Sequence, residues 1–141
     1  MDDSIVRGTQ LGQQAKRLYA DGVKETHMRI ACPPLLFPCK FINFSRSKSE
    51  YDLIARRYIR DRDGVNADIS KYLDPDGEPY KDMVEYIRKN LGLTSLAFQH
   101  LDDLVAAIGL PKERLCTYCW DGKDVSCPGC CPGCPKKQLE K

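Results

Sequence analysis

Four stretches of the chain carry apolar residues at helical spacing, and each is predicted to form an α-helix. They are residues 10–21, 49–60, 80–91 and 100–108. In the first stretch, Leu11, Ala15 and Leu18 fall on one face of the helix. Gly22 and Gly92 directly follow two of the stretches, and glycine is the residue that most often ends a helix.

Two short segments are predicted to be β-strands. In the first, Thr26, Met28 and Ile30 alternate with residues of the opposite face before two prolines end the segment. Residues 95–98 form the second. Residues 61–79 are instead polar and rich in the Asp, Pro and Gly of turns, so they are predicted to leave the core.

Composition indicates one globular domain with a short appendage. The chain has 141 residues, a mass of 16.0 kDa and a formal net charge of +2. That charge argues against a dedicated nucleic-acid or anionic-membrane binder, since such binding needs clustered positive charge. The arginine run from Arg56 to Arg62 is interleaved with Asp61 and is predicted to be a solvated face. No apolar run approaches the roughly 18 residues of a membrane span, and the acidic N-terminus is unlike a secretory signal. The sequence therefore predicts a cytoplasmic protein with neither nucleic acid nor membrane as a partner.

Eight cysteines, in a chain without an export signal, favour metal or iron–sulfur binding over disulfide bonds. Cys116 and Cys119 have the Cys-x-x-Cys spacing that binds one side of a metal ion or cluster. The C-terminal tail adds four candidate thiols for zinc or for a cluster, namely Cys127, Cys130, Cys131 and Cys134. Two other interpretations stay open, which are inert core cysteines and a solvent-exposed tail of low complexity.

The beginning of the chain carries the most informative motif, in which two acidic residues precede a short polar loop and a predicted helix. Backbone N–H groups of such a loop can converge on a phosphate, and Gly8 permits a close approach. The adjacent carboxylates of Asp2 and Asp3 suit the two hydroxyl donors of a vicinal diol. A phosphate together with a diol describes ribose 5-phosphate. The alternative is an acidic cap on a helix.

The segment DDSIVRGT resembles the phosphoribosyl-diphosphate (PRPP) motif of type I phosphoribosyltransferases, in the form found in glutamine amidophosphoribosyltransferases. The resemblance continues in the same order through VKETHMRIACPPLLFPC, LGLTSLAFQHLDDLVAAIGLP and LCTYCWDGK. Together these segments cover residues 2 to about 123. Gln10 departs from the family pattern, which usually has a second threonine at this position.

The resemblance implies an α/β fold, with a partial, Rossmann-like type I phosphoribosyltransferase core, C-terminal helices and a Cys-rich tail. Residues 1–122 would be the C-terminal part of the transferase domain, with an insertion at about 61–79, and residues 123–141 would be the tail. The family forms 5-phosphoribosylamine and diphosphate from PRPP and glutamine-derived ammonia in purine synthesis. Because the chain looks like a fragment of such an enzyme, we expect the isolated chain to be inactive.

The resemblance also assigns roles to residues. Asp2 and Asp3 would hold the ribose hydroxyls and are candidates for binding Mg²⁺, which neutralises the leaving diphosphate. The 5-phosphate would be wrapped by Ser4, Ile5, Val6, Arg7, Gly8 and Thr9. A 4Fe–4S cluster would be held by Cys39, Cys116 and Cys119, with a fourth ligand from upstream sequence, whereas Cys32 stands where the family commonly has serine.

Expected partners are PRPP, glutamine or ammonia, an upstream partner chain and, for the parent enzyme, further copies of itself. A function of another class stays open. The chain would then be a non-enzymatic module that reuses the scaffold to bind zinc or an iron–sulfur cluster.

Overall fold

Two parallel strands that lie far apart in the sequence form the sheet of this protein. The computed structural model describes residues 1–39 and 49–123. Within them, β1 spans His27–Ile30 and β2 spans Ser95–Phe98, paired in parallel so that Ile30 lies opposite Phe98. Both predicted strands are confirmed. Parallel pairing requires a long crossover between the strands, and helices supply it.

Five α-helices occur in the described residues, before, between and after the strands. They are α1 (Thr9–Ala20), α2 (Ile54–Asp63), α3 (Glu78–Leu91), α4 (Leu101–Ile108) and the single-turn α5 (Tyr118–Asp121). Short 3-10 turns lie at Glu50–Asp52, Ile69–Tyr72 and Lys112–Arg114. The α/β class expected from the sequence is therefore confirmed. None of the helices in this part of the chain is long and apolar enough to span a membrane.

The predicted helix at 49–60 is two elements rather than one. Leu53 is extended, with φ −71° and ψ 126°, and it separates the 3-10 turn from α2. The break lets both Leu53 and Ile54 enter the core, where they are 0% and 3% exposed. Burial of two successive large side chains outweighs continuous helical hydrogen bonding here.

The prediction that residues 61–79 leave the core holds for most of the segment, which is exposed, but it is wrong for Tyr72. Tyr72 is fully buried; its ring packs edge-on against Tyr58, and its hydroxyl donates to the Asp63 carboxylate. One aromatic side chain thus anchors an otherwise polar segment, because a buried tyrosine removes a large apolar area from water while its hydroxyl finds an acceptor.

The prediction of a solvated arginine face is also wrong for two of its members. The side chain of Arg56 is only 11% exposed and pairs with Glu50 at 2.5 Å. Arg57 is half-buried and donates to a main-chain carbonyl near the N-terminus. Arginine stems pack along apolar surface while their guanidinium groups find polar partners, so charge alternation alone did not distinguish these residues from Arg62, which is exposed.

Candidate functional site

The sheet fixes the start of the chain. Asp2 pairs in parallel beside β1: its N–H donates to the Arg29 carbonyl at 3.1 Å, and its own carbonyl accepts from the Ala31 N–H at 3.0 Å. A few residues later, Ile5 is buried in the core. Residues 2–8, which we call the N-terminal loop, therefore leave the sheet edge from a defined position and lead into α1.

This loop and the first turn of α1 line an open cavity of about 590 Å³. Its lining consists of Asp2, Asp3, Ser4, Ile5, Val6, Arg7, Gly8, Thr9, Gln10 and Leu11. The structure thus brings every residue of the predicted sugar-phosphate motif to one cavity. The volume is in the usual range for small-molecule sites.

Gly8 is the position at which the loop becomes a helix. Its φ is +78°, in the left-handed region, and it occupies the N-cap of α1 without a side-chain cap. A Cβ added here would lie 2.8 Å from Leu91 Cδ2 and 2.9 Å from Ile54 Cδ1. Only glycine fits both the backbone angle and the space, and the absence of a side-chain cap leaves the first N–H groups of α1 to other acceptors.

The acidic pair lies where the loop leaves the sheet. Asp2 Oδ1 accepts a hydrogen bond from the Asp3 N–H at 2.9 Å, and the Asp3 side chain is exposed. Mg²⁺ is usually held by one or two carboxylates together with substrate phosphates, so this donor set fits that ion. The described residues hold no group of three or more metal-ligating side chains here that would form an all-protein site.

The first residue of α2 and the turn before it also contact the loop. Arg7 Nη2 lies 3.3 Å from Asp52 Oδ2, and the Ile54 N–H donates to the Val6 carbonyl at 2.9 Å. Sequence reasoning did not find these contacts, because more than 40 residues separate the partners and nothing local in the sequence marks Asp52 or Ile54 as neighbours of the loop.

The Cys-x-x-Cys segment packs against the segment that precedes Cys39. Burial raises the pKa of the Cys119 thiol to about 12, and the thiols of Cys39, Cys116 and Cys32 add to the rise. The Cys119 carbonyl accepts from the N–H groups of Leu36 and Phe37 at 2.9 and 3.0 Å. These two hydrogen bonds therefore join the Cys-x-x-Cys segment to the segment that ends in Cys39.

These thiols do not form a complete cluster site. A 4Fe–4S cluster takes four thiolates, Cys116 is exposed, and the described residues contain no group of three or more side chains placed to hold a metal. Cys32 is buried, and burial raises its pKa to about 11. The tail candidates Cys127, Cys130, Cys131 and Cys134 lie outside the described residues.

Fold and site together define an α/β protein whose N-terminal loop forms a cavity between a parallel sheet and a helix N-terminus. The chain is 36% identical over 123 residues to the chloroplastic amidophosphoribosyltransferase of Glycine max, an alignment that covers 87% of this chain and 17% of that protein. It is 35% identical over 124 residues to the amidophosphoribosyltransferase of Mycobacterium tuberculosis, covering 87% and 19%. For that of Methanothermobacter thermautotrophicus the identity is 32% over 122 residues, covering 86% and 20%.

Two solved structures are similar to this fold. One is described as the allosteric regulatory enzyme of purine biosynthesis, with a TM-score of 0.59 and 26% identity over 86% of this chain and 22% of that one. The other is the glutamine PRPP amidotransferase of Bacillus subtilis complexed with ADP and GMP, with a TM-score of 0.56 and 27% identity over 89% and 24%. No protein-family model matches the chain.

These comparisons confirm the resemblance to amidophosphoribosyltransferase that the sequence motifs indicated. The chain spans about a fifth of the length of the curated relatives it matches. One of these relatives is chloroplastic by name, so a cytoplasmic location for this chain stays a prediction.

Proposed function

We propose that this chain is the PRPP-binding part of an amidophosphoribosyltransferase, a glycosyltransferase that forms 5-phosphoribosylamine and diphosphate from PRPP and glutamine-derived ammonia. The observation that carries the proposal is the cavity formed by residues 2–11, which combines paired carboxylates with a loop at a helix N-terminus. Similarity to amidophosphoribosyltransferases over 87% of the chain supports it.

Each part of the cavity has a chemical role in this proposal. Asp2 and Asp3 accept hydrogen bonds from the ribose hydroxyls, and the N–H groups of the N-terminal loop and α1 bind the 5-phosphate. The hydroxyls of Ser4 and Thr9 add donors. Mg²⁺ bound with the substrate supplies charge neutralisation for the departing diphosphate. The residues of this chain then contribute mainly orientation, holding the sugar so that its anomeric carbon faces the nucleophile.

Calorimetric titration of the full chain with ribose 5-phosphate tests the proposal. Asp3→Asn should weaken binding about 10-fold, the loss expected when one charge-assisted hydrogen bond of roughly 1.5 kcal/mol is weakened. Asp103→Asn is a matched control, because Asp102 and Asp103 are a second adjacent pair of aspartates, in α4. No binding by the unmodified chain, or equal losses in both variants, would contradict the proposal.

A metal-binding module is the second candidate function. The hydrogen bonds that join the Cys119 carbonyl to Leu36 and Phe37, next to Cys39, favour it. Anaerobic reconstitution with iron and sulfide, and a separate zinc titration, measure whether the chain binds either. Cys116→Ser should abolish binding, whereas Cys32→Ser should leave it unchanged. Deletion of residues 126–141 then tells whether the tail supplies a ligand. Absence of metal binding by the unmodified chain would eliminate this candidate.

The partners expected from the sequence carry over to the proposal. PRPP and glutamine, or ammonia derived from it, would be the substrates of the whole enzyme. Further copies of the chain, or an upstream partner chain, stay predictions that size measurements in solution can check.

A further inference from the structure

Two successive carbonyls of the N-terminal loop are bonded to α2. The Val6 carbonyl accepts from the Ile54 N–H at 2.9 Å. The Arg7 carbonyl accepts from Arg57 Nη2, also at 2.9 Å. Neither Ile54 nor Arg57 is among the residues that line the cavity, so α2 contacts the loop from its other side.

Each of these hydrogen bonds also sets the direction of an amide. In a trans peptide the C=O and the following N–H point in opposite directions, and the described residues contain no cis peptide. With the Val6 and Arg7 carbonyls bonded to α2, the N–H groups of Arg7 and Gly8 point away from α2. A peptide rotated the other way would present a carbonyl oxygen to an anion and repel it.

We propose that Arg57 is a positioning residue for the N-terminal loop. It holds the Arg7–Gly8 peptide so that the Gly8 N–H faces the bound phosphate, while Ile54 does the same for the preceding peptide through its main chain. The inference rests on the proposed function, since it assigns a role at the same ligand site. This role belongs to Arg57 and not to Arg60 one turn away, because the guanidinium of Arg60 pairs with Asp61 at 2.7 Å.

Amide NMR and calorimetry on the full chain, with ribose 5-phosphate as the probe, test this role. Arg57→Met removes the donors and keeps an unbranched stem, and Arg57→Lys restores a charge and a donor. Arg60→Met is the matched control, because it removes the same charge from the same helix without touching the loop. Circular dichroism verifies that each variant is folded.

We expect Arg57→Met to bind about 2- to 10-fold more weakly, the effect of one hydrogen bond, with Arg57→Lys in between and Arg60→Met unchanged. Ligand should still shift the Arg7 amide resonance in Arg57→Met, because Ile54 anchors that peptide, whereas the shift of the Gly8 amide should be lost. That selective loss, and its recovery in Arg57→Lys, would not follow from a general loss of stability.

Three outcomes count against the inference or its basis. Equal affinity and an unchanged Gly8 shift in Arg57→Met would overturn the positioning role. An equal loss in Arg60→Met would also overturn it, since the effect would then reflect overall charge. Failure of the unmodified chain to bind ribose 5-phosphate, with no amide shift in the loop, would instead refute the proposed function itself. If Arg57→Met does not fold, Arg57→Ala, which also removes the donors, takes its place in the first of these comparisons.

Discussion

Replacing Gly8 with alanine tests how tightly the N-terminal loop is packed against α2 and α3. The added Cβ would lie 2.8 Å from Leu91 Cδ2 and 2.9 Å from Ile54 Cδ1, at a residue whose φ is +78°. The left-handed conformation costs a non-glycine residue about 1–2 kcal/mol, and overpacking a core adds about 1–3 kcal/mol. Gly8→Ala should therefore lower the free energy of unfolding by about 2–5 kcal/mol.

A second glycine separates the two contributions. Gly22 has φ +91° with no atom within 4 Å of an added Cβ, so Gly22→Ala should cost only the conformational part, about 1–2 kcal/mol. Combining Gly8→Ala with Ile54→Val removes one of the clashing methyl groups. The double variant should then lose less stability than the two single variants added together.

Urea unfolding followed by circular dichroism measures these differences, with the midpoint and slope compared among the variants. Gly8→Ala should also weaken the binding of ribose 5-phosphate, because relief of the clash displaces the loop. Equal destabilisation by Gly8→Ala and Gly22→Ala, with additive behaviour in the double variant, would refute the close packing of the loop.

Two further predictions concern the core and the surface charges. Tyr72→Ala should lower the free energy of unfolding by about 3–5 kcal/mol. Val65→Ala, at a 65% exposed position in the same polar segment, should change it by less than about 0.5 kcal/mol. Similar small effects at both positions would mean that the segment does not fold with the core. The guanidinium of Arg88 lowers the pKa of Glu85 from its ordinary 4.5 to about 2, so this carboxylate contributes stability above pH 4.5 that is lost as the pH falls toward 2. The urea midpoint should therefore fall more steeply between pH 5 and pH 3 in the unmodified chain than in Glu85→Gln, and parallel curves would contradict this.

The lining of the candidate sugar-phosphate cavity could be predicted from the sequence because it is one contiguous run of residues. Residues 2–11 contain the carboxylates, the glycine and the start of α1, so local order along the chain already placed them together. Most of the helices and the two strands could be predicted for the same reason, since their apolar periodicity is a local property. Even Gly8 could be singled out, because a loop that turns into a helix near an anion favours glycine.

Only the tertiary structure decided which distant segments support that cavity. The contact of Arg57 with Arg7 joins two elements that the sequence separates by 50 residues, and the same charged pattern would suit a fully solvated helix. The hydrogen bonds of Leu36 and Phe37 to the Cys119 carbonyl and the packing that buries Tyr72 are likewise made between segments that lie apart in the sequence. In each case the deciding energy comes from packing and hydrogen bonds between elements, and no local pattern specifies their partners. The sequence by itself determined both strands, most of the helices and the contiguous candidate motif. The fold determined where the helix at 49–60 breaks and which distant residues hold that motif in shape.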